Sequence, residues 1–315
     1  MADLSKPRVV AVGGPTASGK TALSVALARA FDGEIINADS MQIYKNLDVG
    51  TAKPSAEERQ GIPHYLLDFL PPETPYSVAD FTAAADPLIR DITARGRLPL
   101  VVGGTGLYMD SLIRGNDFAP FPSTGVRQRL EAQADAEGLE AMAAWLRSVD
   151  PEAAERIQDR KRLLRALEVY LETGETITEH NRRTQAIPPR FTPVWLGLDF
   201  EDRQQLYDRI DLRVTKMLER GLLEEIRGLL DSGVPEKATA MQAIGYKEFL
   251  GVLDGTLTEQ EALELVKLRS RQYAKRQLTW LRRDTGIHWY YWKKTRNTAD
   301  CLAFSTEILH TYGVS

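Results

Sequence analysis

The sequence predicts an α/β fold with a parallel sheet core, a helical insertion and a helical C-terminal part. Two observations lead to this prediction. Short apolar runs alternate with helical patterns over the first hundred residues, and from Arg127 to about Thr184 only helical periodicity is found. Alternating strands and helices are typical of parallel sheets, because helices form the crossover connections.

The composition limits the function classes. The chain has 315 residues, of which 43% are hydrophobic and 27% charged, close to the averages of globular domains. Its single cysteine, Cys301, excludes a disulfide scaffold and a multi-cysteine zinc site. No apolar run approaches the ~20 residues that span a bilayer. Residues 1–7 are polar and unlike a signal or transit peptide, so we expect a cytoplasmic protein.

The core elements follow in order along the chain. The predicted strands are short apolar runs: residues 8–13, 34–38, 64–70, 98–102, 192–198 and 287–292. The predicted core helices have apolar residues at helical spacing: residues 20–31, 77–95, 202–220, 222–230 and 259–283. The run 98–102 is fully apolar, as expected for a strand buried on both faces. Ser77 is suited to cap the helix that follows it.

A helical insertion interrupts this core. Breaker residues lie in FAPFPSTG (118–125), and Ile187-Pro188-Pro189 breaks the chain again. Two helical segments lie between them, 126–148 and 150–173, and Pro151 suits the first turn of the second. The predicted domains are therefore a discontinuous α/β core, 1–117 and 192–315, and an insertion, 118–191.

A glycine-rich loop follows the first predicted strand. Residues 14–21 (GPTASGKT) match the pattern G-x-x-x-x-G-K-[ST]. In such a loop the glycines let backbone amides turn towards one centre, where they and the helix N-terminus bind anionic oxygens. Lys20 adds a mobile positive charge, and the Thr21 hydroxyl can bind a Mg²⁺ ion that bridges phosphates. The match predicts a P-loop NTPase-like core and a di- or triphosphate ligand held by Gly14, Pro15, Thr16, Ala17, Ser18, Gly19, Lys20 and Thr21.

Two features of P-loop ATPases and GTPases are missing from the sequence. Such proteins usually have a strand that ends in a magnesium-binding Asp, but the run 98–102 is followed by Gly103-Gly104-Thr105. Asp39 and Asp68 are the only candidates for a strand-end carboxylate, and the base-recognition tetrad N-K-x-D is absent. These gaps disfavour motor and GTPase functions.

The charge is unevenly distributed. The net charge of −4 argues weakly against a polyanionic partner, yet residues 267–283 contain seven basic residues and no acidic one. For nucleic-acid binding the distribution of charge matters more than its sum. A charge run is most often a solvated helix face, although solvated helices commonly mix signs. From the residues alone, both interpretations stay open.

Six segments occur in a fixed order: GPTASGKT (14–21), DSMQIY (39–44), GTAKP (50–54), VGGTGLY (102–108), RALEV (165–169) and KRQLTWLR (275–282). Together they resemble the bacterial tRNA dimethylallyltransferases, a family of tRNA adenine-N6 isopentenyltransferases. The resemblance covers essentially the whole chain. Met41 and Ile43 depart from the pattern only at positions that vary in the family. The zinc-finger tail of eukaryotic relatives is missing.

The resemblance implies a specific reaction. A dimethylallyl group passes from dimethylallyl diphosphate to N6 of the adenine 3′-adjacent to the anticodon, in tRNAs that read codons beginning with U. The phosphate loop then holds the diphosphate of the donor rather than ATP, with Mg²⁺ as cofactor. The implied partner is the anticodon stem-loop, contacted by the insertion, and we expect a monomer.

The resemblance also implies roles for single residues. Asp39 acts as general base towards the amine, Thr105 lies at the reaction channel, and Lys20 stabilises the departing diphosphate. Arg213 is the best match to an arginine that contacts the diphosphate, with Arg209 second. Simpler roles stay open, because Asp commonly caps loops and a Thr hydroxyl commonly stabilises turns.

Residues that match RNA-contacting positions of the family occur in both predicted domains. Ser40, Met41 and Gln42 follow Asp39, and the Gln42 side chain offers both a donor and an acceptor to a base edge. With Asp39 and Thr105, the further matching residues are Arg127, Lys161, Arg162, Leu163, Leu164, Arg165, Gln242, Gly245, Tyr246, Lys247, Lys275, Arg276, Gln277, Trp280 and Arg282.

Two other functions are compatible with the phosphate loop. A small-molecule or nucleotide kinase shares the core and often has a helical lid, but it does not need DSMQIY or a long basic helix. An RNA-binding ATPase or switch would need a magnesium carboxylate at a strand end. The aromatic run 289–292 could stack on bases, but a strand with one buried aromatic face is favoured.

Overall fold

The computed structural model describes residues 6–115 and 124–315. The chain forms two compact units, Met1–Ile113 with Arg190–Ser315, and Arg114–Pro189. The predicted boundary between 117 and 118 and most of the breaker segment 118–125 lie outside the described residues. The second predicted boundary, between 191 and 192, lies two residues from the observed division.

The first unit, the core unit, contains a parallel sheet of six strands among the described residues. The strands are β1 (Arg8–Gly13), β2 (Gly33–Asn37), β3 (His64–Tyr65), β4 (Leu98–Gly103), β5 (Thr192–Phe200) and β6 (Ile287–Trp292). Their order is β3-β2-β4-β1-β5-β6. This confirms the predicted α/β class with a parallel sheet.

Helices connect the strands and build the second unit. In chain order they are α1 (Lys20–Ala30), α2 (Ala56–Arg59), α3 (Val78–Ala94), α4 (Gly106–Arg114), α5 (Val126–Glu137), α6 (Leu139–Val149), α7 (Pro151–Arg156), α8 (Arg160–Thr173), α9 (Ile177–Gln185), α10 (Arg203–Glu219), α11 (Leu222–Asp231), α12 (Tyr246–Leu253), α13 (Glu259–Leu281) and α14 (Thr298–Thr311). No helix in the described parts is long and apolar enough to cross a membrane.

Three predicted elements differ from the observed ones. The third strand was predicted over 64–70, but it ends at Tyr65 because Leu66 and Asp68 have positive φ angles of 55° and 56°. The predicted helix 126–148 is divided at Gly138, whose φ is 84°. The predicted helix 150–173 is divided before Asp159, whose side chain caps the next helix.

The central strand β1 is buried on both faces. Val9 and Ala11 belong to one apolar cluster, and Val10 and Val12 to the cluster on the other face; all four are fully buried. Alternate side chains of a strand point to opposite faces, so helices must cover both sides of the sheet. This explains why the strand predicted at 98–102 is apolar without a break.

The second unit, the helical unit, has its own small core. Its apolar cluster includes Leu130, Met142, Leu146 and Leu167. Asp150 is buried beside this cluster and caps α7 by accepting a hydrogen bond from the Ala153 amide (3.0 Å). It also accepts from the backbone and hydroxyl of Thr178 (3.0 and 2.8 Å), which attaches α9 to α7.

The Glu34 carboxylate on β2 accepts hydrogen bonds from three side chains of the core unit. Its carboxylate accepts two hydrogen bonds from Arg95 (both 2.6 Å), one from Arg97 (2.7 Å) and one from the Tyr65 hydroxyl (2.9 Å). The guanidinium of Arg95 is the main cause that lowers the pKa of Glu34 to about 2. The network joins three neighbouring segments at the amino end of the sheet.

We expect Glu34→Gln to destabilise the protein by about 2–3 kcal/mol, the usual contribution of hydrogen bonds to a charged group. Because folding lowers the pKa of Glu34, its contribution is present above its ordinary pKa of 4.5 and is lost as pH falls towards about 2. Urea unfolding at pH 7 and at pH 3 measures both effects.

Asp91→Asn is the matched control, because Asp91 pairs with the same Arg95 from a side chain that is 62% exposed. We expect it to change stability by less than about 0.5 kcal/mol. Equal losses from the two variants would contradict the assignment.

Candidate active site

Three turns meet at one edge of the sheet. The strands β2, β4 and β1 are neighbours, so the segments after them lie side by side. These segments are the phosphate loop 14–19, Asp39 and Gly103-Gly104-Thr105. Residues of the phosphate loop, Asp39 and Gly103, together with residues of α10 and α13, line a cavity of about 980 Å³ in the core unit. The cavity unites motifs that lie far apart in the sequence.

The phosphate loop is a tight turn onto α1. The Ser18 amide donates to the Pro15 carbonyl (3.2 Å), and Gly19 has a φ of 95°, which favours glycine. A Cβ on Gly14 would lie 2.8 Å from the Leu198 carbonyl oxygen, so only glycine fits there. The helix α1 begins at Lys20, and its unpaired N-terminal amides favour an anion at the loop.

Lys20 is a half-buried cation. Its Nζ donates to the carbonyl oxygens of Gly14 (3.0 Å) and Pro15 (2.8 Å). Burial and, after it, the neighbouring Arg213 lower the pKa of Lys20 to about 8, whereas Asp39 acts in the opposite direction. The charge of Lys20 is therefore costly until an anion reaches the loop.

Two arginines of α10, one turn apart, face the same cavity. Arg209 donates to the Ala17 carbonyl (3.1 Å), and Arg213 donates to the carbonyls of Thr51 and Ala52 (both 3.4 Å). Burial lowers the pKa of both arginines. The Nε of Arg213 is buried without a hydrogen-bond partner. Both candidates for the diphosphate-contacting arginine thus lie at the loop.

Asp39 and Thr105 join the turns after β2 and β4. Asp39 Oδ1 accepts from the amides of Met41 (2.9 Å) and Gln42 (3.4 Å), the capping role that the sequence left open. This leaves Oδ2 as the acceptor for a ligand in the cavity. Thr105 Oγ1 accepts from the Ser40 amide (3.1 Å). A hydrogen bond therefore connects the two turns that carry these predicted catalytic side chains.

Tyr273 on α13 also lines the cavity, and the sequence analysis assigned it no role. Its hydroxyl is near Thr105, Gln277 and Asp39. Burial, together with the negative charge of Asp39, raises the pKa of Tyr273 to about 12. The hydroxyl therefore stays protonated beside the carboxylate.

Glu225 is another residue that the sequence analysis missed. Its carboxylate accepts hydrogen bonds from three successive amides, those of Asp48 (2.8 Å), Val49 (2.7 Å) and Gly50 (3.0 Å). It also accepts one from the Tyr246 hydroxyl (2.5 Å). Glu225 thereby fixes the start of the GTAKP loop, whose carbonyls receive Arg213 and the Gln42 side chain.

Gln277 connects two of the turns directly. Its Oε1 accepts from the Thr16 amide (2.9 Å), and its Nε2 donates to the Gly104 carbonyl (2.9 Å). Trp280, one turn further along α13, packs on the same segment, because a Cβ on Gly106 would lie 2.3 Å from its ring. The motif KRQLTWLR therefore positions the phosphate loop as well as carrying charge.

Four residues expected to contact RNA have side chains that are buried instead. Leu163 and Leu164 lie in the core of the helical unit. Tyr246 is fully buried against Glu225, and the Gln277 amide is used within the site. Burial withdraws these four side chains from solvent, and their expected contact with RNA stays a prediction.

The basic run of α13 is partly neutralised by distant carboxylates. Arg271 pairs with Asp211 (2.5 Å), and Arg282 pairs with the buried Asp199 (2.7 Å). Lys275 and Arg276 are exposed. With Arg269 and Arg283, which are also exposed, these two are the cations of the run that suit contact with a polyanion.

The predicted basic residues of the helical unit are mostly paired within it. Arg127 pairs with Glu131 (2.8 Å), Arg162 with Asp159 (3.4 Å) and Arg165 with Glu168 (2.8 Å), whereas Lys161 is exposed. Of the segment near α12, Gln242 donates to the Glu236 carbonyl (3.0 Å) and Lys247 lines the cavity. Gly245 has a φ of 106° at the start of α12.

The side chains at the phosphate loop suit a metal ion that is coordinated mainly by a bound phosphate compound rather than by the protein. No group of three His, Cys, Asp or Glu that could hold a metal occurs within residues 6–115 and 124–315. Asp68, the second strand-end candidate, pairs with Lys53 (2.7 Å). The Thr21 hydroxyl fits Mg²⁺ only if phosphate oxygens and water complete the shell, an arrangement that Mg²⁺ commonly accepts.

Two family models match the chain. The model described as IPP transferase matches residues 42–284, and the model described as isopentenyl transferase matches residues 7–74. Curated relatives named tRNA dimethylallyltransferase include one from Thermoanaerobacter sp. (strain X514), 46% identical over 90% of this chain and 91% of that protein. Another, from Heliobacterium modesticaldum, is 48% identical over 88% of this chain and 87% of that protein.

Solved structures agree with these relatives. The chain resembles a tRNA isopentenylpyrophosphate transferase from Bacillus halodurans, with a TM-score of 0.73 and 40% identity over 97% of this chain and 98% of that chain. It also resembles a eukaryotic dimethylallyltransferase acting on tRNA, with a TM-score of 0.82 and 32% identity over 96% of this chain and 80% of that chain.

We expect Glu225→Ala to loosen the segment that begins the GTAKP loop. The variant leaves three amides and the Tyr246 hydroxyl without their acceptor, which costs about 2–3 kcal/mol. Urea unfolding measures the loss, and hydrogen exchange at Asp48, Val49 and Gly50 locates it. Glu224→Ala is the control, because the neighbouring Glu224 side chain is 69% exposed. Unchanged exchange at these amides in Glu225→Ala would refute the assigned role.

Proposed function

The chain belongs to the IPP transferase family, the tRNA dimethylallyltransferases, and we propose how its cavity performs the family's reaction. It transfers a dimethylallyl group from dimethylallyl diphosphate to tRNA, and the relatives support this function over the kinase alternative. The acceptor is N6 of the adenine 3′-adjacent to the anticodon. The observation that carries the proposal is a single cavity lined by the cationic phosphate loop and by Asp39, whose turn is hydrogen-bonded to Thr105 through the Ser40 amide.

The two reactants require different contributions from the protein: the amine must be positioned and deprotonated, and the diphosphate must be stabilised as it leaves. The exocyclic amine of adenine is a weak nucleophile, because its lone pair is delocalised into the ring. The allylic carbon is a good electrophile once diphosphate can leave. The N6–C1 bond forms as the C1–O bond breaks, and the electron pair of that bond leaves with the diphosphate. The amine loses a proton, which Asp39 Oδ2 accepts as general base.

The loop side of the cavity stabilises the leaving group. The loop amides, Lys20 and Arg213 surround the place where negative charge develops as diphosphate departs. Mg²⁺, held by the Thr21 hydroxyl together with phosphate oxygens and water, would neutralise part of that charge when bound. The partial burial of Lys20 strengthens its interaction with the diphosphate, because the local dielectric is low.

The other side of the cavity receives the base. A base stacked in the anticodon loop must be extruded to reach a buried amine-binding group. Ser40, Met41 and Gln42 adjoin Asp39 and line the cavity, where they can contact the extruded adenine and its neighbours. Exposed Lys275 and Arg276 suit the RNA backbone. Lys161, Arg162 and Arg165 of the helical unit provide further cations for the anticodon stem.

Transfer of label tests the proposal. The protein is incubated with Mg²⁺, radiolabelled dimethylallyl diphosphate and two unmodified tRNAs that carry adenine or guanine 3′ of the anticodon. We expect label only in the adenine tRNA. We expect Asp39→Asn to lower kcat about 10²- to 10⁴-fold, the usual range for a general base, and to leave the KM for the donor nearly unchanged.

Asp231→Asn, at an exposed position of α11, is the matched control and should behave as the wild type. Label in neither tRNA, with ATP turned over instead, would overturn the proposal in favour of a kinase. Full activity of Asp39→Asn would be consistent with the transferase function but would show that Asp39 is not its general base.

The pKa of Lys20 predicts how donor binding depends on pH. In the free protein Lys20 is charged below its pKa of about 8 and neutral above it. Donor binding above that pH therefore requires uptake of a proton, and kcat/KM for the donor should fall as pH rises through about 8. Measurement of kcat/KM for the donor between pH 7 and 10 tests this descending limb of the pH profile.

Lys20→Arg is the control for the pH profile, because a guanidinium stays charged over that range. The limb should be missing from its profile. Calorimetric titration of the wild type with diphosphate in buffers of different ionisation enthalpy counts the proton directly. No proton uptake at pH 9 would contradict the assignment.

A further inference from the structure

We propose that Arg296 is an additional ligand of the donor's diphosphate, held over the phosphate loop by Trp292. The inference rests on the proposed function and adds a residue outside all six sequence segments that indicated the family. Arg296 lies between β6 and α14 and lines the same cavity as the phosphate loop. It lies more than 270 residues along the chain from that loop, so no local motif could have indicated it.

Trp292 fixes the guanidinium in place. The Cζ of Arg296 lies 4.1 Å from the centroid of the Trp292 ring, a close cation–π contact. The ring itself is buried, and its Nε1 donates to the Ser18 carbonyl in the phosphate loop (2.7 Å). Through this platform the position of Arg296 is tied to the loop rather than to α14 alone.

The guanidinium touches the loop where α1 begins. A Cβ on Gly19 would lie 2.4 Å from Arg296 Nη2 and 3.6 Å from the Trp292 ring. Gly19 directly precedes Lys20, the first residue of α1. Nη2 is therefore beside the amides that bind anionic oxygens in such loops. Glycine at position 19 provides room for the guanidinium as well as for the turn.

Arg296 lacks a counter-charge. Its Nε is buried without a hydrogen-bond partner. Burial, and after it the neighbouring Arg209, lower the pKa of Arg296. No carboxylate within residues 6–115 and 124–315 forms an ion pair with it. A partly buried cation without a partner is costly, and an anionic ligand in the cavity would remove that cost.

The charges around the loop match a diphosphate. Lys20, Arg209, Arg213 and Arg296 are cationic side chains that line the cavity near the phosphate loop, and the carboxylates that act on this group are Asp39 and Glu58. A diphosphate carries several negative charges near pH 8 and can therefore offset the cations that these carboxylates leave unneutralised. The planar guanidinium can donate two parallel hydrogen bonds to phosphate oxygens.

The test measures binding of inorganic diphosphate by calorimetry at a fixed excess of Mg²⁺. We expect Arg296→Gln to weaken this binding about 10- to 100-fold, as for a lost hydrogen bond to a charged group, and Arg296→Lys to weaken it less. Affinity for tRNA, measured by filter binding, should stay unchanged. Arg203→Gln is the control, because Arg203 is an exposed arginine at the start of α10.

The outcomes separate the alternatives. Unchanged diphosphate affinity in Arg296→Gln, with or without loss of tRNA affinity, would overturn the inference, and a tRNA effect would assign Arg296 to the RNA backbone. Diphosphate should also protect Arg296 of the wild type from phenylglyoxal, a readout that needs no folded variant. Arg296-dependent diphosphate binding without prenyl transfer would support the anion site while the proposed function fails.

Discussion

Placing several cations in one partly buried cavity is the constraint on which the arrangement of the core unit depends. Lys20, Arg209 and Arg213 are each desolvated, and Asp39 raises the pKa of Lys20 and, together with Glu58, that of Arg213. Without a ligand these charges are stabilised by backbone carbonyls of the phosphate loop and of the GTAKP loop. Such carbonyls hold a cation in place but do not neutralise it, so the site stays selective for a strongly charged anion.

Long-range contacts keep this cavity in shape. Gln277 joins the phosphate loop to the turn after β4, Glu225 fixes the segment before the GTAKP loop, and Trp292 donates to the Ser18 carbonyl. Each contact joins segments more than 150 residues apart in sequence. A displacement of about 1 Å at a reacting group can lower a rate strongly, which explains why polar side chains are used here rather than apolar packing alone.

Features with a local signal could be predicted from the sequence. The apolar strands, the phosphate loop and the Ser77 cap of α3 follow from short-range pattern, and the six-stranded parallel sheet confirms the predicted class. Asp39 and Thr105 could be placed at strand ends because parallel strands end at one edge. The helices α4, α12 and α14 were missed, since their short apolar patterns lie beside turns. The end of β3 was missed because the backbone at Leu66 and Asp68 turns through positive φ.

Features that depend on distant partners could not be predicted. The acid-free run 267–283 gave no sign that Asp211 and Asp199 neutralise Arg271 and Arg282. Nor did Glu225 or Arg296 lie in any motif, because their roles exist only after the chain has folded.

The central claim is that the phosphate loop is adapted to an allylic diphosphate rather than ATP. Competitive calorimetry of dimethylallyl diphosphate against ATP tests it most directly. The account predicts donor binding at least about 10-fold tighter than ATP binding, and equal or tighter binding of ATP would contradict it.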